Sequence, residues 1–429
     1  MSSAFTLPET APLDINADRL LGRIADLARI GRAADGGITR QGFSTADLRA
    51  RAYLMDQARE AGLLAMVDAA GNILVRQPSS LSSDRQTVLL GSHLDTVVNA
   101  GRLDGAYGVL AALEVVEVCR ASDIHLDKDL VAVAFANEEG ALFPQPFWGS
   151  MALAGRLAAL PREPLDHTGR PLRQVLQAAG GNLDALGSAA WAEGSLAAYF
   201  ELHIEQGPVL ERTGHSIGIV DAITGRTVLT LLAHGRAGHC GTVPMDARRD
   251  AMAAAAHVVL AVQEISGERR LCRVATVGRL EPQPNTANTI AESVQLTVDL
   301  RDTDPTRLAD AERALHQDLA RITSDSGCRI EVIAETRSQP VATDTALREV
   351  IDESAADLGL SRMTLPSGAG HDALMVADIA PVAMIFVPSI GGASHVPHED
   401  TAEADLVAGA RVLLRSVLRT GAPTPYTRG

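Results

Sequence analysis

The chain has 429 residues, of which 46% are hydrophobic, 21% charged and only 3% aromatic. That much apolar sequence supports two or more domains with their own cores and excludes an intrinsically disordered chain. A net charge of −15 argues against nucleic acid or an anionic membrane as partner. It leaves an anionic small molecule open, because one buried Arg can dominate a local field.

Four cysteines, Cys119, Cys240, Cys272 and Cys328, stand apart without a CxxC pair, which predicts free thiols in a reduced, cytoplasmic chain. The opening Met1-Ser-Ser-Ala-Phe-Thr has no basic stretch followed by an apolar one, so no signal peptide is expected. No apolar run reaches the ~18 residues of a membrane span.

Helical apolar spacing runs over residues 15–30. Residues 45–61 form a second predicted helix, capped by Ser44 or Thr45 and stopped by Gly62. Short strands follow at 64–68, at 73–76 after the Gly71-Asn72 turn, and at 87–90. A helix at 107–119 and a strand at 130–135 continue the α/β alternation, and 197–202 reads as another strand after a Gly/Ala-rich loop region. The pattern predicts a mixed, mostly parallel sheet with helices on both faces.

The texture changes after Gly218. Strands at 225–235, 273–278, 293–301 and 329–335 alternate with helices at 247–265 and 305–322, which predicts an inserted α+β domain with an antiparallel sheet. Beyond Pro340 the α/β texture returns, with helices at 344–358 and 402–418 and strands at 363–366 and 382–387. The expected division is a discontinuous catalytic domain, 1–217 with 338–429, interrupted by a lid at 218–337.

Chemistry-bearing residues gather at strand ends. His93 closes the run before Leu94-Asp-Thr, and Asp95 is placed to accept from its second ring nitrogen. Asp104 lies between glycines in Leu103-Asp-Gly, Glu138 and Glu139 follow the strand at 130–135, His203 follows 197–202, and His395 lies beyond 382–387. Taken singly, His93 reads as a turn histidine and Asp104 as an Asp-Gly turn. Taken together, His93, Asp104, Glu139, His203 and His395 are a His/carboxylate set of the kind that binds zinc or manganese. Five ligands exceed one tetrahedral zinc with an open position and suit two ions sharing a carboxylate. Of two adjacent glutamates, one can hold metal while the other moves a proton.

Several motifs stand together here: Gly91-Ser-His-Leu-Asp-Thr-Val97, Asn137-Glu-Glu-Gly140, Leu202-His-Ile-Glu-Gln-Gly-Pro208, Gly238-His-Cys-Gly-Thr242, Ser367-Gly-Ala-Gly-His-Asp372 and Ser394-His-Val-Pro-His-Glu399. In this order and spacing they resemble the hydantoinase/carbamoylase family of amidases, over residues 20–418. The resemblance implies a di-metal amidohydrolase that cleaves the ureido C–N bond of an N-carbamoyl-L-amino acid or a related ureido acid such as allantoate. It implies two divalent ions, Zn, Mn, Co or Ni. His93, Asp104 and His203 would hold one, and Asp104, Glu139 and His395 the other.

Glu138 would be the general base, and His239 an oxyanion-stabilising donor contributed across a homodimer formed by the lid. Asn288 and Arg301 match binders of the substrate carboxylate, a task that suits the planar Arg fork. Gln206 and His371 match further substrate-side positions. An aminoacylase or dipeptidase on ordinary amides, or a non-catalytic ligand-binding relative, are the competing readings. The chain departs from the family pattern at Val98, Ala100 and Leu142, and His398 stands near His395 as a possible rival.

Overall fold

The computed structural model describes residues 13–78, 85–157 and 163–422. Over these the chain divides into two compact units. One holds the described residues up to Asp221 together with Thr343–Leu365 and those from His371; the other holds Ala222–Ala342 with Pro366–Gly370.

The first unit opens with α1 (Ala17–Leu27), capped by Asn16, and α2 (Thr45–Glu60), capped by Ser44. Next come β1 (Leu64–Val67), β2 (Ile73–Arg76), β3 (Thr87–His93), α3 (Ala106–Ala121) and β4 (Asp129–Phe135). They are followed by α4 (Trp148–Leu153), α5 (Leu172–Ala178), β5 (Leu196–Ile204), α6 (Val209–Thr213) and β6 (Ile217–Ile223).

In the second unit β7 (Gly225–His234), β8 (Gly238–His239), α7 (Ala251–Gly267), β9 (Val274–Gln283), β10 (Thr289–Ile290), β11 (Ser293–Asp302), α8 (Pro305–Ser326), β12 (Arg329–Ser338) and β13 (Val341–Ala342) follow in order. The first unit resumes with α9 (Thr345–Asp357), β14 (Arg362–Ser367), α10 (Ala373–Val376), β15 (Val382–Val387) and α11 (Glu403–Gly421).

The large sheet runs β1-β2-β4-β3-β5-β15-β6, with β14 beside β6. Its centre is parallel: β4, β3, β5 and β15 all run the same way, and antiparallel strands flank them. Apart from Ala197 of β5, the central strands are buried along their whole length, as near-continuous Val/Ile/Leu/Ala runs require when both faces are covered. Along β5, Ala198, Phe200, Leu202 and Ile204 join the core under α3 and α11. Tyr199, Glu201 and His203 alternate to the other face, where the α10 amide of Ala373 meets Glu201.

The second unit is an antiparallel sheet, β12-β7-β11-β9. Leu229, Leu231 and Ala233 of β7 and Val294, Leu296, Val298 and Leu300 of β11 bury their side chains with α7 and α8. The residues between them form the opposite face. Two expectations shift here. The long helix begins at Ala251 rather than 247, because Asp250 caps it and accepts from the amides of Met252 and Ala253. Strand β9 runs on to Gln283, pairing with β11 as far as Ser293.

Candidate metal centre

Three parallel strands set the level of the site. Leu90 of β3 pairs with Phe200 of β5, and His93 pairs with Phe135 of β4. His93 and His203, each three residues further on, therefore stand side by side at the carboxyl edge, where open α/β sheets place their ligands. Their ring centroids are 6.1 Å apart. Both histidines belong to their strands; the sequence had put His203 just past a strand end.

Each ring is held from behind by a backbone carbonyl at 2.9 Å, Asp95 O for His93 Nδ1 and Ile204 O for His203 Nδ1. This leaves both Nε2 atoms facing Asp104, at 3.5 and 3.2 Å from its Oδ1. A ligand histidine fixed through its other nitrogen has its tautomer and orientation set in advance. The Asp95 carboxylate does not do this job, as the sequence had suggested; it lies 3.9 Å from His93. Its two oxygens instead accept from the amides of Glu138 and Glu139, at 3.0 and 3.1 Å. Asp95 thus fixes the backbone on which both glutamates ride.

Asp104 is carried on the turn into α3, and Gly105 caps that helix at φ 63. A Cβ at Gly105 would lie 2.4 Å from the His93 ring, so only glycine lets the turn close onto the histidine. The Gly105 amide reaches His203 Nε2 at 3.0 Å. On the other side of the carboxylate, His395 Nε2 lies 3.2 Å from Asp104 Oδ2 and 3.5 Å from Glu139 Oε1. Gln206 Nε2 also donates to Oδ2, at 2.6 Å, and Ser394 Oγ lies 3.0 Å from it. Gln206 and His395 hold positive φ of 58 and 59, a backbone state that non-glycine residues adopt where the surroundings enforce it.

Two groups therefore offer three ligand atoms each within reach of one ion, His93–Asp104–His203 and Asp104–Glu139–His395, and they share Asp104. The donors are imidazole nitrogens and carboxylate oxygens, a set that suits zinc, manganese, cobalt or nickel. Glu139 Oε1 is buried and accepts no hydrogen bond, a costly state unless a cation meets it. The residues present fit a divalent ion.

The electrostatics agree. Burial acts to raise the Asp104 carboxyl, but hydrogen bonds with His203, His395 and His93 hold it well below the usual carboxylate range. Burial lifts Glu138 well above that range, opposed by His93 and reinforced by Glu139 and Asp372. Its Oε2 lies 3.7 Å from His93 Nε2. Burial and the neighbouring His203 push His371 well below the ordinary histidine value, so its ring is neutral. That ring packs edge-on against His203, with centroids 4.8 Å apart.

Some residues were not legible in advance. Glu399 is buried and accepts from the amides of Leu103, Asp104 and His395. Glu201 accepts from Ser92 Oγ and the Ala373 amide, and Asp372 accepts from Ser150 Oγ at 2.5 Å. Glu399 lies inside the segment read for His395, so the signal was present but assigned to its neighbour. His398 is exposed and belongs to neither ligand group. Leu142 packs against the aromatic cluster of Phe43, Phe143 and Trp148.

The remaining predicted residues lie in the second unit. The β8–β10 ladder sets His239 opposite Thr289, and the Cys240 amide donates to the Asn288 carbonyl, so His239 and Asn288 are neighbours. His239 is exposed. Arg301 engages Asp299 through Nε and Nη2 and the Gly368 carbonyl through Nη1.

Residues 89–419 match Peptidase family M20/M25/M40. An N-carbamoyl-L-amino acid amidohydrolase from Geobacillus stearothermophilus is 37% identical over 94% of this chain and 98% of its own length. An allantoate amidohydrolase from Bacillus subtilis (strain 168) is 35% identical over 90% of this chain and 93% of its own. A solved amidase of the hydantoinase/carbamoylase family, from Burkholderia multivorans, superposes with a TM-score of 0.86 at 34% identity, covering 96% of this chain and all of that one. With His93 and His203 side by side on a parallel sheet and matches that span nearly its whole length, the chain belongs to Peptidase family M20/M25/M40 and, within it, to the hydantoinase/carbamoylase amidases.

Proposed function

We propose that this chain holds two divalent ions on Asp104, one with His93 and His203 and one with Glu139 and His395. With them it hydrolyses the ureido C–N bond of an N-carbamoyl-L-amino acid or a related ureido acid such as allantoate. The enzyme is a hydrolase of carbon–nitrogen bonds other than peptide bonds. The observation that carries the reading is the division of one carboxylate. Oδ1 of Asp104 faces two histidines while Oδ2 faces a third, beside a Glu139 oxygen that accepts no hydrogen bond.

Bound ions of this kind polarise a carbonyl and acidify water. Glu138 takes the proton of the attacking water and passes it to the departing nitrogen. A carboxyl raised by burial is suited to both halves of that transfer. Asp95 holds the backbone of both glutamates, so the proton carrier and the ligand keep a fixed spacing. The neutral ring of His371 is able to accept a hydrogen bond from a ureido N–H. Gln206, whose Oε1 is buried without a partner, offers a second acceptor. The products are ammonia, carbon dioxide and the amine left on the acid.

The substrate carboxylate falls to Asn288 and Arg301, and the oxyanion to His239. Within the second unit Arg301 lies far from the neighbouring pair Asn288 and His239. Arg301 pairs with Arg226 at one end of β11, while Ser293 pairs with His234 at the other, about 27 Å away at strand rise. The ladder carrying His239 lies beyond that far end. One small acid cannot span this distance, which supports a homodimer in which each lid serves both sites.

Mixing Glu138→Gln with His239→Ala protein tests this. Random exchange restores about a quarter of wild-type turnover if His239 acts across the dimer and none if it acts in its own chain. The free, unpaired cysteines agree with a cytoplasmic protein. Among the described residues no helix is long and apolar enough to cross a membrane.

The reading is tested by ammonia release from zinc- or manganese-loaded protein. Allantoate, ureidoglycolate, N-carbamoyl-β-alanine and several N-carbamoyl-L-amino acids are run beside N-acetyl amino acids. Turnover of a ureido acid is expected. Release of free amine from the acetyl compounds alone would replace the ureido substrate with an ordinary amide.

A further inference from the structure

We propose that Glu399 is a positioning residue for the Asp104–Glu139–His395 group: its single carboxylate ties the loop carrying His395 to the turn carrying Asp104. The proposal rests on the two-ion reading above.

Glu399 is 2% exposed and accepts four hydrogen bonds. Oε1 takes the amides of Leu103 and Asp104 at 2.9 and 3.0 Å. Oε2 takes Ser394 Oγ at 3.1 Å and the His395 amide at 3.2 Å. One pair of donors, Leu103 and Asp104, lies 296 and 295 positions from Glu399 in sequence, and the other, Ser394 and His395, only 5 and 4. Both segments supply ligands to the same group.

His395 needs such a tie more than the other histidines do. His93 and His203 belong to sheet strands and have carbonyls behind their rings, whereas His395 sits on a loop at φ 59 with its side chain 48% exposed. Ser394 extends the link, because the hydroxyl that donates to Glu399 also lies 3.0 Å from Asp104 Oδ2. A further sign that the carboxylate has a reserved place is Gly101. A Cβ there would fall 2.3 Å from Glu399 Cβ and 2.5 Å from Oε1.

Glu399→Gln keeps the volume and replaces one acceptor with a donor. Turned toward Leu103 and Asp104, the new NH2 would oppose two amide N–H groups that have no other role. Turned the other way, it meets Ser394, whose hydroxyl is able to accept, and only the His395 amide loses its partner. The cheaper arrangement therefore frees His395 and spares Asp104.

The test is zinc binding to the metal-stripped full-length protein, followed by competition with a chromophoric chelator that resolves two affinities. The expected result for Glu399→Gln is a second ion held about 10–100-fold more weakly, the usual scale for groups that orient ligands, with the first changed less than about threefold. Gly101→Ala perturbs the same carboxylate by displacement, without changing its charge, and is expected to weaken the second ion in the same way. It also keeps the question open to measurement if Glu399→Gln does not fold.

Equal weakening of both ions in the two variants would mean a general structural role, and unchanged binding of both would mean none; either overturns the proposal. If wild-type protein binds only one ion, the two-ion reading falls by itself. Glu399 then stands only if that ion leaves Glu399→Gln at least about tenfold faster into excess chelator.

Discussion

In the His93–Asp104–His203 group both histidines rise from the ends of buried strands, whereas Glu139 and His395 are carried on loops. In the first group both rings are braced by backbone carbonyls and every member is buried. In the second, His395 is half-exposed and Glu139 Oε1 has no hydrogen-bond partner. One carboxylate belongs to both. A position prepared by the sheet before any ion arrives is expected to bind first and tightly. A position that needs loops held at positive φ is expected to bind later and to exchange more readily.

Asp104→Asn strikes the shared point. The amide cannot serve both groups, so both ions are expected to be lost, and turnover to fall on the order of 10⁴-fold or more. Metal analysis after gel filtration checks the first part, and ammonia release the second. Retention of one ion at wild-type affinity would show that the groups do not share this carboxylate. Next in size is Glu138→Gln. Turnover is expected to fall about 10²–10⁴-fold with both ions retained, because the proposed role of Glu138 is to carry protons rather than metal. Parallel loss of ions would make Glu138 a ligand and move the base elsewhere.

The contrast itself is sharpened by a pair of histidine variants. His395→Ala should lose the second ion and keep the first. His203→Ala should lose the first ion, and the second should weaken too, because Asp104 then loses a partner that anchors its Oδ1. Zinc affinities about 10–100-fold apart between the two groups in wild-type protein are expected. Two equal affinities would remove the distinction between strand-built and loop-built ligands.

The same contrast governs what the sequence revealed. Apolar runs ending in His, Asp or Glu gave away β3, β4 and β5 and with them most of the candidate ligand set, because strand burial leaves a pattern of fixed period. The α7 start at Ala251 was harder to place, since residues 245–250 hold a short 3-10 turn before the Asp250 cap. The far end of β9 was missed because Gly278 and Pro282 both read as strand breakers, and the register indeed shifts at Gly278. The work of Asp95 and Glu399 was invisible for another reason. Each binds backbone amides remote in the chain, and an amide carries no residue identity for a motif to record.

The smallest effect is a pH window in the metal-free protein. The hydrogen bond to Asp104 raises His395 to about 9, against the pull of burial and with help from the charges of Asp104 and Glu139. In the unfolded chain a histidine titrates near pH 6.5. Between about pH 6.5 and 9 the folded metal-free form therefore holds a proton that the unfolded form has released. The resulting stabilisation is fully present below pH 6.5 and is lost as pH rises through 9. His93 and His203 are shifted in the same direction. Because His395 is partly exposed, the effect is screened and should be modest.

Ion binding needs the unprotonated nitrogen, so the loaded protein should lack this window and bind zinc more tightly as pH rises. The melting temperature of stripped protein is thus expected to decline from pH 6.5 to 9 relative to loaded protein, and His395→Gln should flatten part of that decline. A stripped protein whose melting temperature follows that of the loaded form across this range would mean that the histidines face Asp104 unprotonated before any ion binds. The loop-built group would then be as well prepared for metal as the strand-built one.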